Sequence, residues 1–494
     1  MGYILSIDQG TTGTTAVLIN SKTLEFVDKV NEEFRQIFPH PSWVEHDLND
    51  IWKSVESTIT QVLEKNSISK DQISCIGITN QRETTCAFKR DGTPLANAIV
   101  WQDRRTQDFC QSIQDKKQRV RELSGLPIDP YFSGTKMRWL LHNNTAVKEA
   151  YQNGDLLFGT IESFLLYKLT GATEHKTEAS NASRTLLMDI KSCNWSDELL
   201  EIFNVPRETL PEICNSFENF GQTKGLGFLN DGTVITGMLG DQQSALFGQA
   251  GLHKGDMKCT YGTGAFMLLN TGEEIKFSDN GLLTTVAYRE NGKAYYALEG
   301  STYICGAAVQ WLRDNLGIIE SSPQVEKLAK EVSDLSEMEH IMFLPFFTGI
   351  GSPYWNADAK AALLGLTRDT DKKHIARACL DGMALSINDL IQAMSADTKH
   401  EIKTLKVDGG AVANELLMTI QATISSLDII RPKIIETTAY GAALAAAIGA
   451  GIIEKSKVLD LWQEDKVFKL NSSEVKHYEM KKSKWKNNIT KLFE

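Results

Sequence analysis

The segment YILSIDQGTTGTTAVLI, residues 3–19, contains two β-rich runs on either side of a turn made of glycine and threonine. Apolar, β-branched runs that flank a short glycine-containing turn are typical of a β-hairpin. Glycine lets backbone N–H groups converge on an anion without obstruction by a Cβ atom, and threonine hydroxyls add further donors. The segment therefore predicts a hairpin whose turn can hold a phosphate group.

The same pattern recurs in MKCTYGTGAFMLL, residues 257–269. Two polar turns that open two halves of similar length suggest a duplicated architecture, with the turns facing each other across a cleft. Glycine and threonine are common in hairpin turns, so the recurrence taken alone is also compatible with chance. Strand-like and helix-like segments alternate elsewhere, with helical patterns over 48–65 and 102–123, and this alternation favours an α/β fold.

The composition excludes several classes of protein. Among the 494 residues, 52 Lys and Arg stand against 63 Asp and Glu. The resulting formal charge of −11 has the wrong sign for a protein that binds nucleic acid or an anionic membrane, so any phosphate must be held locally. The length suggests two large domains, because a domain commonly has about 100–200 residues.

The longest apolar stretch, residues 439–453, is rich in Ala and Gly and shorter than the ~20 residues that a membrane span needs. We expect a close-packed buried helix there and no membrane insertion. The eight cysteines occur singly, without a C-x-x-C pair, which favours a reducing, cytoplasmic location. The lysines within 476–491 are expected to form a solvated helix face.

Neither a Walker sequence nor a G-x-G-x-x-G fingerprint after the first strand is present, so P-loop and Rossmann interpretations lose their main support. Asp8, directly before the first turn, is placed to hold Mg²⁺ through water, since Mg²⁺ prefers one or two carboxylates together with phosphate oxygens. An Asx-type turn cap is the alternative. The segment VDGGAVAN, residues 407–414, predicts a strand, a turn and a helix, and its two glycines let a flat ring or a sugar approach the backbone.

Seven segments, spread over most of the chain, carry a resemblance to a known family. They are residues 8–12, 80–84, 101–106, 129–136, 240–248, 261–264 and 408–414. With these motifs in this order, the chain resembles the glycerol kinases, a group within the FGGY carbohydrate kinases of the actin/Hsp70-like ATPase superfamily. The resemblance implies two actin-like (ribonuclease H-like) α/β domains, with mixed sheets flanked by helices and an ATP and substrate cleft between them. We place these domains at 1–250, with the polyol site, the first phosphate loop and the catalytic Asp, and at 251–494, with the nucleotide site.

The resemblance also implies an activity: phosphorylation of glycerol to sn-glycerol 3-phosphate by ATP, with Mg²⁺, in a homodimer or homotetramer. Asp241 would be the general base and a possible Mg²⁺ ligand beside Asp8. The substrate-binding residues carried over are Arg82, Glu83, Trp101, Tyr131, Asp241, Gln242 and Phe266. The nucleotide-binding residues carried over are Thr11, Thr12, Gly13, Thr263, Gly306, Gln310, Gly410 and Asn414. Arg82 and Glu83 are neighbours, and neighbours on an extended segment point to opposite faces, so both can reach one ligand only if the chain bends there.

The chain departs from the family pattern at two places. Thr15 stands where well-studied bacterial members carry an arginine that neutralises the transferring phosphate, so Mg²⁺ and backbone donors are expected to do more of that work. The loop 230–234 has no arginine where enteric members bind fructose 1,6-bisphosphate, so we expect no inhibition through this loop.

Two alternatives to glycerol phosphorylation stay open from the sequence. One is an FGGY kinase for another polyol or a ketose. The other is a non-catalytic actin-like module that binds ATP for conformational switching. The substrate-side residues 80–84, 131 and 241–242 argue against the second alternative, because such a module needs no polyol pocket.

Overall fold

The computed structural model describes residues 2–398 and 402–493. The strands, in chain order, are β1 (Tyr3–Gln9), β2 (Gly13–Asn20), β3 (Phe26–Glu33), β4 (Glu45–His46), β5 (Ile73–Asn80), β6 (Cys86–Lys89), β7 (Ala98–Ile99), β8 (Leu156–Gly159), β9 (Lys176–Glu178), β10 (Met188–Asp189), β11 (Asn194–Trp195), β12 (Glu212–Cys214), β13 (Phe217–Gln222), β14 (Val234–Gly240), β15 (Met257–Tyr261), β16 (Ala265–Gly272), β17 (Leu283–Glu290), β18 (Lys293–Thr302), β19 (Met342–Leu344), β20 (Ala362–Leu364), β21 (Thr404–Asp408), β22 (Asp428–Pro432) and β23 (Glu464–Phe468).

The α-helices, in chain order, are α1 (Leu48–Lys65), α2 (Gln107–Ser112), α3 (Lys117–Ser124), α4 (Ser133–Asn143), α5 (Thr145–Gln152), α6 (Ile161–Leu169), α7 (Ala179–Ala182), α8 (Asp197–Phe203), α9 (Asp241–Gly248), α10 (Gly306–Asp314), α11 (Gln324–Lys330), α12 (Lys372–Thr398), α13 (Glu415–Ser425), α14 (Thr437–Gly449), α15 (Lys457–Leu461) and α16 (Val475–Phe493). Short 3₁₀ turns lie between some of them.

Two large mixed sheets organise the molecule, one in each half of the chain. The first has the strand order β13-β14-β5-β1-β2-β3, and the second has the order β17-β18-β16-β15-β21-β22-β23. In the first sheet, β1 pairs antiparallel with β2 and parallel with β5. In the second, β15 pairs antiparallel with β16 and parallel with β21. The two-domain α/β fold with mixed sheets is therefore confirmed, and so is the repeated strand pattern.

Both predicted hairpins are present, and a bond between two glycines closes each turn, although the first loop has one residue more than the second. In the first turn the backbone N–H of Gly10 donates to the carbonyl of Gly13 at 2.9 Å, and in the second that of Gly262 donates to Gly264 at 2.9 Å. The glycines take part in the closing bonds while the threonine side chains between them stay available to the cleft. Both turns that the sequence predicted for phosphate binding are therefore closed by glycines, over four residues in the first hairpin and three in the second.

Helix α14 lies in the second half of the sequence but packs on the first sheet. The Ser6 hydroxyl donates to the carbonyl of Ala439 at 2.7 Å. A Cβ atom on Gly77, in β5, would come within 2.2 Å of the Ala442 carbonyl oxygen, so only glycine allows this approach. The close-packed buried helix is therefore confirmed up to Gly449, whereas residues 450–453 of the predicted stretch lie beyond the helix and are not buried. The domain division at residue 250 stays a prediction. Helix α14 follows that position in the sequence but packs on the sheet formed by residues that precede it.

Among residues 2–398 and 402–493, no helix is both long enough and apolar enough to cross a membrane. Each of the eight cysteines is a free, buried thiol.

The helical pattern over 102–123 is only partly realised. The helices α2 and α3 are separated by a short 3₁₀ turn, and residues before 107 are not helical. The Asp103 carboxylate accepts hydrogen bonds from the backbone N–H of Val44 at 2.7 Å and of Arg105 at 2.9 Å. An Asp side chain that binds nearby backbone in this way favours a turn over a helix, which explains the difference.

The prediction of a solvated lysine face on the C-terminal helix is wrong at Lys481. This residue is 2% exposed and its ammonium group pairs with the buried carboxylate of Asp381 on α12. Tyr478, one turn earlier, also donates to Asp381, at 2.8 Å. Helix α16 therefore turns one lysine inward, because a buried carboxylate on the neighbouring helix needs a cation.

Candidate active site

A cavity of about 410 Å³ lies between the two hairpin turns. The first turn contributes Thr11 and Thr12, and the second contributes Thr263. All seven substrate-side residues predicted from the sequence line this cavity, namely Arg82, Glu83, Trp101, Tyr131, Asp241, Gln242 and Phe266. The structure therefore brings both phosphate turns and the predicted polyol residues to one place, although the two groups are far apart in the sequence.

The bend that Arg82 and Glu83 require is present in the backbone. Strand β5 ends at Asn80, and Glu83 has a φ of +60°, in the left-handed region that non-glycine residues rarely adopt. The carbonyl of Glu83 accepts a hydrogen bond from the Ser133 hydroxyl at 3.0 Å, which helps to hold the bend. Both side chains reach the same cavity because of this conformation.

The guanidinium fork of Arg82 is taken up by a glutamate from the other half of the chain. Its Nη1 and Nη2 atoms donate to the Glu299 carboxylate at 2.5 and 2.9 Å. Its Nε atom lies 3.0 Å from Oδ1 of Asp241. Burial by itself lowers the pKa of Arg82, but Glu299 and the other nearby carboxylates outweigh burial and hold that pKa well above its usual value. Arg82 is therefore a permanent cation that holds Asp241 at the cavity, rather than a free fork for hydroxyl groups.

Glu83 keeps one carboxylate oxygen available to a ligand. Its Oε1 accepts from Nε of Arg184 at 2.5 Å. Within the described residues, Oε2 takes no hydrogen bond, and Glu83 lines the cavity. Burial raises the pKa of Glu83, while Arg184 and Arg82 oppose that shift. The side chain can thus accept a hydrogen bond from one hydroxyl group of a small ligand.

Asp241 is the first residue of α9 and stands at the cavity with 29% of its side chain exposed. Its Oδ1 accepts from the backbone N–H of Gln242 at 2.6 Å. The Gln242 side chain is fixed in turn, because its Oε1 accepts from the ammonium group of Lys258 at 2.5 Å. Lys258 is fully buried, and burial lowers its pKa. The amide hydrogens of Gln242 are then left for a ligand.

An aromatic wall closes one side of the cavity. The ring of Trp101 lies edge-on to Tyr131 at 5.6 Å and to Phe266 at 6.1 Å between centroids. The Trp101 indole N–H donates to the Thr11 hydroxyl at 2.9 Å. Burial holds the pKa of Tyr131 well above its usual value, so its hydroxyl stays neutral. The wall offers apolar surface to a carbon backbone and is hydrogen-bonded to the first phosphate turn.

The Asp8 carboxyl group does not line this cavity, but it lies close enough to Asp241 and Glu436 for their charges to act on it. Burial, together with the carboxylates of Asp241 and Glu436, raises its pKa to about 8, and Lys29 only partly opposes this shift. Bringing carboxylates together in this way favours a cation among them. In the part of the chain that the structure describes, no cluster of three or more His, Cys, Asp or Glu side chains could bind a metal alone. Mg²⁺ needs only one or two carboxylates when phosphate oxygens supply further ligands.

Thr15 is the direct cross-strand partner of Asp8, so its side chain is on the same face of the sheet. Its hydroxyl donates to Oδ1 of Asn31 at 2.9 Å. An arginine at this position would add a positive charge beside Asp8, next to the first turn. Lys29, on the neighbouring strand β3, does not supply such a free charge, because it forms an ion pair with Glu436.

A second cavity, of about 430 Å³, shares Gly262 and Thr263 with the first. Five of the predicted nucleotide residues line it, namely Thr263, Gly306, Gln310, Gly410 and Asn414. A Cβ atom on Gly410 would meet no atom within 4 Å, so the backbone there is open to a ligand. Apolar side chains, including Leu380 and Met383, complete the lining and suit a flat base.

Gly13 is the one predicted nucleotide residue that lines neither cavity. It begins β2, where its carbonyl closes the first turn, and a Cβ atom there would come within 2.7 Å of the Glu32 carbonyl oxygen. A glycine is needed at this position because β3 passes too close to leave room for a side chain.

Sequence reasoning missed Arg184, Glu299 and Lys258, which hold the predicted site residues in place. The sequence carried a signal for two of them, Glu299 and Arg184. Glu299 lies in a strand of small and apolar residues, and Arg184 follows the small-residue segment ASNAS. A single charge in such a run indicates a buried partner, because a charged side chain is almost never fully buried without one.

Comparison with known proteins adds independent findings. Residues 3–248 match the FGGY family of carbohydrate kinases, N-terminal domain, and residues 257–450 match the C-terminal domain of that family. The glycerol kinase of Staphylococcus epidermidis is 47% identical over 491 residues, which covers 99% of this chain and 97% of that protein. The glycerol kinase of Myxococcus xanthus is 48% identical over 473 residues, covering 94% of this chain and 95% of that protein.

Among solved structures, the Plasmodium falciparum glycerol kinase with ADP aligns at a TM-score of 0.89 and 34% identity, covering 100% of this chain and 99% of that one.

Proposed function

The chain belongs to the FGGY family of carbohydrate kinases, and we propose that it transfers the γ-phosphoryl group of ATP to glycerol, giving sn-glycerol 3-phosphate. One observation supports this activity most directly. The cavity that holds the polyol residues and the cavity that holds the nucleotide residues share the turn at Gly262 and Thr263. A nucleotide in the second cavity can therefore present its terminal phosphate to a triol in the first.

Asp241 acts as the general base. It stands partly exposed at the polyol cavity, and Arg82 holds its carboxylate at 3.0 Å. As the terminal hydroxyl of glycerol attacks the γ-phosphorus, its proton passes to Asp241, the new O–P bond forms, and the bond from phosphorus to the ADP oxygen breaks. The weak basicity of a carboxylate suffices, because phosphoryl transfer passes through a loose transition state in which positioning dominates.

Glycerol binds between a polar side and an apolar side. The free Oε2 of Glu83 accepts one hydroxyl hydrogen, and the amide of Gln242 donates to another hydroxyl. The carbon backbone packs against Trp101 and Phe266. A small triol fits this arrangement because its hydroxyl groups and its carbon chain meet different walls of the cavity.

The two hairpin turns hold the phosphate groups of ATP with backbone N–H groups and threonine hydroxyls. Asp8 and Asp241 would hold Mg²⁺, which supplies positive charge to the phosphate oxygens when bound. Movement of the two halves toward each other would expel water, the competing acceptor of the phosphoryl group.

The cellular setting is also a proposal. Eight free, buried thiols support a reducing, cytoplasmic compartment. The homodimer or homotetramer stays a prediction from the resemblance, and light scattering measures it directly.

An ADP-release assay over glycerol, xylulose, ribulose and gluconate tests the proposal. Release that depends on glycerol, and is much faster than with the other three compounds, is the expected result. A ketose or gluconate that is preferred over glycerol would assign the chain to another kinase of the family. ATP turnover that needs no added substrate would instead support a nucleotide-dependent switch.

A further inference from the structure

Four buried side chains of alternating charge form an open chain of ion pairs, in the order Arg82, Glu299, Arg184 and Glu83. We name it the buried charge ring, because its two end residues are neighbours in the sequence. Arg82 binds Glu299 through both Nη atoms, at 2.5 and 2.9 Å. Arg184 donates to Glu299 from Nη2 at 2.9 Å and to Glu83 from Nε at 2.5 Å. All four are at most 2% exposed. Two positive and two negative charges balance, so the ring can remain ionised while buried.

The ring joins the two halves of the chain at the polyol cavity. Glu299 lies in β18 of the second sheet, while the other three residues belong to the first half. Arg82 and Glu83 line the cavity, whereas Arg184 and Glu299 stand behind them. The two residues behind the cavity therefore act on a ligand only through the two that face it.

Arg184 touches a second part of the cavity wall as well. Its guanidinium carbon lies 5.6 Å from the ring centroid of Tyr131 and 5.4 Å from that of Phe132. One side chain thus contacts both the acceptor carboxylate of Glu83 and the aromatic residue Tyr131, and both of these line the cavity. Arginine suits this place better than lysine, because the nitrogens of its planar guanidinium group can donate to both Glu83 and Glu299. The same planar group can also pack against aromatic rings.

Arg184 also leaves one buried donor unused. Within the described residues its Nη1 atom has no hydrogen-bond partner. An unsatisfied buried donor costs stability, so this arrangement is not the one that stability alone would select.

We propose that Arg184 is a positioning residue for the polyol: it fixes the Glu83 carboxylate and the Tyr131 ring, and Glu299 links it to Arg82. The inference rests on the proposed function, because it names what holds the glycerol-binding groups in place. Its consequence is selective. Loss of the fixed geometry weakens the binding of glycerol, while the nucleotide cavity, which contains none of these residues, is unaffected.

The test compares Arg184→Lys with Arg377→Lys by measuring KM for glycerol, KM for ATP and kcat. Arg377 is a matched control: it is 3% exposed and binds Glu474 and Tyr478 at 3.0 and 2.7 Å, outside both cavities. Both variants keep the positive charge but replace a buried guanidinium group with an ammonium group. For Arg184→Lys we expect the glycerol KM to rise about tenfold or more, with the ATP KM within about twofold of wild type, because a hydrogen bond to a charged group is lost. For Arg377→Lys neither constant should change by more than about twofold.

Glu299→Asp is the second variant. It keeps the negative charge, but its shorter side chain draws the carboxylate away from Arg82 and Arg184. It should also raise the glycerol KM while leaving the ATP KM within about twofold of wild type. If Arg184→Lys does not fold, this variant tests the positioning role. An unchanged glycerol KM, an equal rise in the ATP KM, or the same effect in Arg377→Lys would overturn the positioning role. Wild-type protein that does not phosphorylate glycerol would instead refute the proposed function, so the two failures are distinguishable.

Discussion

Replacement of Asp8 by Asn removes a carboxyl group that the folded protein holds at a cost. Burial and the Asp241 and Glu436 carboxylates raise its pKa from the ordinary 3.8 to about 8. In the unfolded chain the group therefore loses its proton near pH 4, whereas in the folded protein it keeps the proton up to about pH 8. The unfolded state is thus favoured progressively as the pH rises between these two values, and the effect is constant above about pH 8.

The size of this penalty follows from the shift. A pKa difference of one corresponds to about 1.4 kcal/mol. At pH 7 only the interval between 3.8 and 7, about three pH units, contributes, so the ionisable carboxyl group would destabilise the folded protein by about 4 kcal/mol. Asp8 is mostly buried but keeps some contact with solvent, which offsets part of this cost, so we expect a gain of about 1–2 kcal/mol for Asp8→Asn. In a chain of 494 residues, this free energy corresponds to a rise in Tm of about 1–2 °C.

Calorimetry of the ligand-free protein at pH 5, 7 and 8.5 measures the effect. The Tm gain of Asp8→Asn should grow with pH over this range, while the exposed control Asp115→Asn should show no such trend. Because we propose that Asp8 holds Mg²⁺, the same variant should lose kcat by about 100-fold or more. A lower Tm at pH 7, or an equal Tm change at pH 5 and 8.5, would refute the electrostatic reasoning. Unchanged kcat would refute the assignment of Asp8 to the site.

Four further predictions concern other parts of the site and fold. Trp101→Phe keeps the apolar wall but loses the hydrogen bond to the first phosphate turn, so the ATP KM should rise about three- to tenfold and the glycerol KM by less; equal rises would contradict this link. Gly441→Ala places a Cβ atom 1.9 Å from the Ser244 carbonyl oxygen and should lower the free energy of unfolding by about 3 kcal/mol or more in thermal melts; a stability like that of wild type would show that the helices separate easily. Thr15→Arg adds a positive charge opposite Asp8 and should raise kcat, whereas an unchanged kcat would mean that Thr15 causes no deficit. Fructose 1,6-bisphosphate should not inhibit, since loop 230–234 has no arginine, and inhibition at sub-millimolar concentration would refute that inference.

The local features of the fold could be predicted because nearby residues determine them. Both hairpins follow from β-rich runs around a Gly/Thr turn, and their pairing is as predicted. Helix α13 begins where the sequence indicated, because the Asn414 side chain accepts from the backbone N–H of Leu417 at 2.9 Å and caps it. The Ala-rich helix α14 is buried, as its composition implied.

The buried charge ring could not be derived in the same way. Glu299 lies 217 residues from Arg82 and 115 from Arg184, and nothing local in the sequence states that these side chains meet. The resemblance assigned Arg82 to substrate binding, whereas in the structure both Nη atoms of its guanidinium group donate to Glu299. The need for a bend at Glu83 could be stated in advance, but only the backbone shows that a positive φ provides it.

The turnover of Asp241→Asn with glycerol tests whether Asp241 takes the proton of the attacking hydroxyl. Asn has nearly the same shape but cannot take the proton of the attacking hydroxyl. A positioned general base typically contributes roughly 10²–10⁴-fold, so kcat should fall by about that factor while the KM for ATP stays within about threefold of wild type. If Asp241→Asn phosphorylates glycerol at close to the wild-type rate, Asp241 is not the general base.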